Sequence, residues 1–405
     1  MDDSEAPQPD ELSAPDNLDA SGFAQAFGEP LEHVLDLRTW HGGTDLQGLY
    51  ERLELDTHIG HALAQEDQAA AAIRAQIIPQ LRDPTRPSAP PLAGVWPVSL
   101  PDLEKIHRGT LFAGHVDACD STVQVHESLA LTIIQIGIAL VGYHGEEGTW
   151  AHRLYRRDLQ GTPANAVELA RQLLELRDPH SPRGPEDTRD QLTELGRRGI
   201  TSYAERAVLT KMSEAAWRMG SGSPAPYELL TGAGAMDLVL PSLDMLEELL
   251  VTYRRFVFVP TRGHRSLLTI GRALAPLEFA VVHKLRTYIA EMVEAGHLRG
   301  HRLQRAKEFV ASAGEAVAVG VFRASSHAPP YVFYAPAEKE LCAQAAAIAL
   351  ADAVIQEHRG YPMLLDMAKQ FCTAAFSREE FLGPIQAAYA ARNEPLPPMP
   401  EAPET

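Results

Sequence analysis

Apolar and polar residues alternate in some stretches of the chain and recur at helical spacing in others, and the change of rhythm marks out the elements. Leu46 to Leu81 reads as helix, with an alanine-rich centre and an interruption at Pro79. From Leu111 the texture changes. Leu111–Ala118 (LFAGHVDA) is a short apolar strand that ends on a carboxylate. Leu129–Gly145 (LALTIIQIGIALVGYHG) is rich in β-branched residues and runs into a glycine turn. Thr149–Leu159 (TWAHRLYRRDL) alternates, and the three together predict an antiparallel meander. Helical spacing follows over Ala166–Arg177 and Asp190–Met219, and a strand broken by Gly232 and Gly234 is expected over Tyr227–Leu240. Then come a helix (Leu243–Tyr253), a strand (Arg255–Thr261), further helices, two strands (Ala316–Ala324 and Tyr331–Pro336) and a helical C-terminus from about Glu338.

Three meander strands followed by alternating helix and strand, with an acidic residue closing the first strand, is the order expected of an RNase H-like α/β fold: a mixed sheet flanked by helices. The Pro-rich stretch Asp83–Pro101 reads as a linker before it. The expected organisation is an acidic disordered tail (1–33), a helical segment with the linker (34–101), the main domain (102–392) and a short C-terminal tail (393–405).

The net charge of −18 over 405 residues changes the functional picture. Part of it is local, since Met1–Glu32 contains acidic residues and no Lys or Arg. The remainder is still acidic, which argues against a protein that coats DNA through Lys and Arg. A nuclease tolerates such a balance, because bound metal ions supply positive charge locally. Three cysteines without paired spacing (Cys119, Cys342, Cys372) suggest neither a disulfide framework nor a zinc knuckle, and fit a reducing cytoplasm. No apolar run is long enough to span a bilayer.

Magnesium and manganese prefer carboxylate oxygens on rigid elements, and Asp117, in His115–Ser121 (HVDACDS), meets that need at a strand end. Asp117 and Asp120 equally suit the start of a turn. Glu205 and Glu214, placed on one predicted helix, and Asp237, flanked by glycines, are the other carboxylates in reach of a metal site. A helical Glu is more often a solvated surface residue, and the glycines equally suit a bulge. His115, His126 and His144 cluster around the first hairpin without metal-ligand spacing. Arg262 and Arg265, in a loop after a strand, are candidate phosphate contacts. No phosphate-binding loop, dinucleotide fingerprint or nucleophile elbow is present.

Taken in order, these segments resemble the NurA nucleases, a family of DNA-end-processing enzymes. The family pattern has VDGS on a first strand, two more strands, a helix with a Glu, a later strand ending in DGSL, and a C-terminal hairpin, long helix and GYP segment. The matching segments here are His115–Ala118, Lys211–Trp217 (KMSEAAW), Leu229–Pro241, Arg255–Thr261 and, best of all, Val319–Pro336 followed by the helix from Glu338 and Gly360-Tyr361-Pro362. Ala118 and Cys119 replace the Gly-Ser of the first motif, and Thr231–Gly234 stands where the second is expected. Asp366 takes the place of a His after GYP. The resemblance implies DNA phosphodiester cleavage with one or two Mn²⁺ or Mg²⁺ ions. It makes Asp117, Glu214 (alternatively Glu205), Asp237 and Asp366 the metal-side carboxylates, and Arg262, Arg265 and Tyr361 the DNA contacts. It also implies a homodimer working with a HerA-type hexameric ATPase. The altered motifs hold open a second reading, a catalytically inactive scaffold or DNA-binding subunit of such a complex.

Overall fold

The computed structural model describes residues 20–40, 50, 55–83, 85–128, 131–144, 149–158, 167, 171, 195–232 and 235–397. The chain divides into two units, Met1–Glu66 and Asp67–Thr405. In the first, helices span Ala20–Phe27 and Leu31–Leu35, and Asp36 caps a following turn by accepting from the Arg38 N–H. These helices begin within the stretch read as an acidic tail, whose residues 1–19 lie outside the described ones, as does most of Ala166–Arg177. The alanine-rich helix runs over Leu55–Gln76.

The second unit is built on nine strands: β1 (Gly94–Pro97), β2 (Val116–Glu127), β3 (Leu131–Val141), β4 (Thr149–Asp158), β5 (Trp217–Ser221), β6 (Phe256–Val259), β7 (Glu278–Lys284), β8 (Val317–Arg323) and β9 (Tyr331–Pro336). They form one mixed sheet in the order β1-β7-β8-β9-β6-β5-β2-β3-β4. The meander β2-β3-β4 is antiparallel, while β5 runs parallel to β2 and β6 parallel to β5. That half of the sheet is the RNase H-like arrangement expected from the order of elements. The central strands are covered on both faces, so β6 (FVFV) is buried at every position rather than alternating.

One face packs on the helices Thr201–Lys211, Val239–Glu247, Arg286–Ala295 and Gly300–Ala316, through Val208, Leu209, Leu243, Leu246, Ile289 and Phe309. The other packs on Lys339–Val354 and Met363–Ala375, through Ala345, Ala346, Ala349, Leu364, Leu365 and Ala368. Among the described residues no helix is long and apolar enough to cross a membrane.

Four stretches depart from the sequence-based expectation. The strand expected over Leu111–Ala118 begins only at Val116 and runs on to Glu127, so Asp117 opens it instead of closing it, and Leu111 ends a helical turn. The helix expected over Asp190–Met219 ends at Lys211, and Trp217–Ser221 is β5, whose Trp217 and Met219 are buried against the neighbouring layer. The strand expected over Tyr227–Leu240 is helical at both ends: Tyr227–Thr231 closes on Gly232 in the left-handed region (φ 82°), and Val239–Glu247 follows. Leu229, Leu230, Val239 and Leu243 are all fully buried, a spacing that suits helices as well as it suits a strand. Finally, β1 comes from the Pro-rich stretch and pairs with β7, where only helices were expected.

Candidate functional site

In open α/β sheets the usual place for chemistry is outside the carboxyl ends of the parallel strands. Here Cys119 lies opposite Gly220, and Ser221 opposite Val259, so the carboxyl ends of β5 and β6 fall level with Asp120 and Ser121 of β2. Alternation along β2 puts Cys119 and Ser121 on the face covered by the Thr201–Lys211 helix, where the Cys119 thiol reaches the Glu205 carbonyl and the Ser121 hydroxyl donates to the Glu205 carboxylate. Asp120 points to the opposite face, where the Met363–Ala375 helix brings Lys369.

The resulting cluster is electrostatically tense. Burial and the neighbouring Glu205 push the Asp120 carboxyl up to about 7, against the pull of the Ser121 N–H, Lys369 and Arg206. Glu205 is held by the Ser121 hydroxyl on one oxygen and by the Arg206 guanidinium on the other. Arg206, only 3% exposed, also donates to the carbonyls of Ser223 (2.6 Å) and Ser221 (3.4 Å), which ties this helix to the end of β5. The nearby Cys119 and Cys372 thiols are raised by burial, the latter to about 12, so neither is a thiolate nucleophile at neutral pH.

The residues singled out from sequence fall in several places. Asp117 sits at the start of β2, opposite Arg218, where its carboxylate accepts from the Ser213 hydroxyl (2.7 Å) and the Ala215 N–H. It tethers the loop that leads into β5. Glu214 lies in that loop, exposed, close enough to act on Asp117. Asp237 is 97% exposed and pairs with Arg302. Asp366 is buried, with Gln356 and Arg359 as its partners. Tyr361 is also buried and donates its hydroxyl to the Val259 carbonyl (3.0 Å), between Asp120 and Asp366. Among the described residues no three His, Cys, Asp or Glu side chains converge on one point, so the four carboxylates are not gathered. Arg262 and Arg265 are exposed, the first in the loop after β6 and the second opening the Arg265–Arg272 helix. His126 is fully buried beside Tyr389, and burial lowers its pKa.

Asp120, Ser121, Arg206 and Lys369 form no motif in the sequence, where Asp120 reads as a turn residue and Glu205 as an alternative ligand.

No protein-family model and no curated protein matches the chain. Among solved structures it is similar to the NurA nuclease from Sulfolobus solfataricus, at 8% identity and a TM-score of 0.45, over 86% of this chain and 98% of that one. It is also similar to NurA with manganese (8% identity, TM-score 0.41, 84% and 97% covered). A third is NurA bound to dAMP and manganese (7% identity, TM-score 0.43, 83% and 97% covered). All three of these are structures of NurA, and each match covers most of both chains.

Proposed function

We propose that the chain is a metal-dependent phosphodiester hydrolase acting on DNA, with Asp120 and Glu205 as its metal-side carboxylates. The observation that carries this reading is the proximity of two mutually repelling carboxylates level with the carboxyl ends of β5 and β6, where one is held near neutral pKa. Such tension is costly to a fold and is typical of functional sites.

Asp120 and Glu205 stand on opposite faces of β2, and where β5 ends they would reach a shared hard divalent cation from the two sides, one that keeps several waters and takes further oxygens from a phosphate. No third carboxylate joins them among the described residues, so of the one or two ions that the family resemblance implies they suit one. A bound Mn²⁺ or Mg²⁺ supplies Lewis-acid polarisation of the phosphate and an acidified water. The protein's own contribution is positional. Ser121 and Arg206 orient Glu205, Asp120 releases the proton it otherwise holds at neutral pH, and Lys369 adds positive charge beside it.

A second reading, the inactive subunit, is favoured by a specific contact: Arg206 occupies a Glu205 oxygen that a metal would use. Digestion of linear DNA with Mn²⁺ separates the two. The hydrolase reading expects cleavage that Asp120→Asn removes and Asp117→Asn leaves, since Asp117 serves the loop. Unchanged cleavage by Asp120→Asn refutes the assignment, and a folded protein with no cleavage supports the inactive subunit. The dimer and the HerA-type ATPase belong to the same proposal. The net charge of −18 leaves the chain poorly suited to capture DNA unaided. Duplex digestion is therefore expected to rise when such an ATPase is added.

A further inference from the structure

Two exposed histidines lie side by side where the β8–β9 loop meets the turn after the Lys339–Val354 helix. The rings of His327 and His358 have centroids 5.8 Å apart and are inclined at 57°. We propose that this pair is a Zn²⁺ site that clips the two loops together, separate from the carboxylates of the proposed nuclease centre and independent of that reading.

The spacing suits a shared ion. A zinc ion about 2.1 Å from each imidazole nitrogen lies about 3.2 Å from each ring centre, so two ligands at a tetrahedral angle have centres about 5.2 Å apart. A small side-chain rotation closes the observed 5.8 Å to that value. Among the described residues neither ring has a hydrogen-bond partner, so each has nitrogens open to a ligand.

The backbone holds both histidines in place before any metal binds. The Ser325 hydroxyl donates to the Glu357 carbonyl (2.6 Å) and accepts from the His327 and Ala328 N–H groups (both 3.1 Å), which stitches one loop to the other. The Arg323 guanidinium donates to the Ser325 and Ser326 carbonyls (both 3.2 Å). On the other loop, the Gly360 N–H closes the turn by donating to the Gln356 carbonyl (2.6 Å). Gly360 has a φ of 64° and packs so tightly that an added Cβ would come within 2.5 Å of the Ala328 Cβ. Ligands on loops already joined lose little freedom when a metal binds them.

Donor chemistry decides which metal. Imidazole suits Zn²⁺, whereas Mg²⁺ and Mn²⁺ prefer carboxylate oxygens. No third His, Cys, Asp or Glu joins the pair among the described residues, so water completes the tetrahedral shell. Arg359, next in sequence to His358, has its charge balanced by Asp366 (2.9 Å). A zinc ion here steadies the turn from which Tyr361 reaches the Val259 carbonyl at the end of β6.

The test is zinc titration of the full-length protein at pH 7.5, after treatment with EDTA and its removal, by competition with a chromophoric chelator and by thermal unfolding. Wild type is compared with His327→Ala, His358→Ala and the double variant. Both positions are exposed, so all four proteins should share one Tm in EDTA. Wild type should bind one zinc ion more than the double variant. Each single variant should hold that ion at least about tenfold more weakly, since losing even a ligand's supporting hydrogen bond costs as much. With free zinc at about a hundred times Kd, the wild-type Tm should rise by roughly 4 °C more than that of the double variant, for the Asp67–Thr405 unit. Asp120→Asn should keep the ion. Equal stoichiometry and affinity in wild type and the double variant, or loss of the ion in Asp120→Asn, overturns the proposal. Zinc held by the histidines in a protein that cleaves no DNA leaves it standing and counts against the nuclease reading alone.

Discussion

Replacing Asp120 by Asn should stabilise the metal-free protein at neutral and alkaline pH. The carboxyl titrates at about 7 in the folded chain against a usual 3.8, because burial and Glu205 both oppose its ionisation. Below pH 4 the folded and unfolded chains both carry the proton, and wild type and variant differ little. Between pH 4 and 7 the unfolded chain releases it while the folded chain retains it, so wild-type stability falls as pH rises through that window and the loss is complete above 7. A displacement of roughly three units corresponds to about 4 kcal/mol at ~1.36 kcal/mol per unit. With the repulsion shared by Glu205, about 2–4 kcal/mol is the expected gain for Asn. For the Asp67–Thr405 unit, at about 2.1 cal/mol/K per residue, that is a rise in Tm of roughly 3–6 °C. The assay is thermal unfolding in EDTA from pH 4.5 to 8.5, with wild type and Asp120→Asn in parallel. The gap should open with pH, and Mn²⁺ at pH 8 should raise the wild-type Tm and leave that of Asp120→Asn unmoved. A variant less stable than wild type at pH 8 in EDTA would refute the reasoning, since Asp120 would then be stabilised as an anion.

Other outcomes follow from packing and buried polar contacts. Asp352, fully buried, accepts from the Tyr143 hydroxyl (2.6 Å) and the Leu364 N–H (2.8 Å), so Asp352→Ala orphans two donors and should cost about 2–4 kcal/mol in denaturant unfolding. Burial raises the Asp352 carboxyl to about 6, and its contribution to stability should weaken as pH rises from about 4 to 6, a window absent from the titration of Asp352→Asn. At Gly320 in β8 an added Cβ would meet the Ala280 carbonyl and the Phe333 ring, so Gly320→Ala should destabilise by about 1–3 kcal/mol, read from the urea midpoint. Gly300→Ala, with open space at its Cβ but a left-handed φ of 58°, should cost less, roughly 1 kcal/mol.

The order of the meander was legible in the sequence because β-branched, alternating segments separated by turn residues can pair only locally, and β2, β3 and β4 do so, although β2 runs over Val116–Glu127 where the pattern predicts Leu111–Ala118. The apolar runs that became β6, β8 and β9 were legible for a related reason: strands buried on both faces have few polar positions to confuse the pattern. Where sequence reading failed, the local signal was ambiguous and packing resolved it. Trp217–Ser221 continues a helical rhythm yet becomes β5, because β2 and β6 leave a slot between them that a strand fills. Leu229, Leu230 and Val239 suit a strand as well as the two helices they form, and Gly232 in its left-handed turn decides between them. The candidate site shows the same division. Residue type and order single out carboxylates near Asp117 and on the following helix as candidates, but not which of them meet. Asp117 and Asp120 are three residues apart on one strand, hence on opposite faces, and only the pairing of β2 with β5, and of β5 with β6, shows which of them lies level with the carboxyl ends of β5 and β6, where helices from both faces converge. Lys369 and Arg206, remote in sequence from Asp120, act on it solely because the sheet brings their helices to that edge, and long-range proximity of this kind leaves no trace in local pattern.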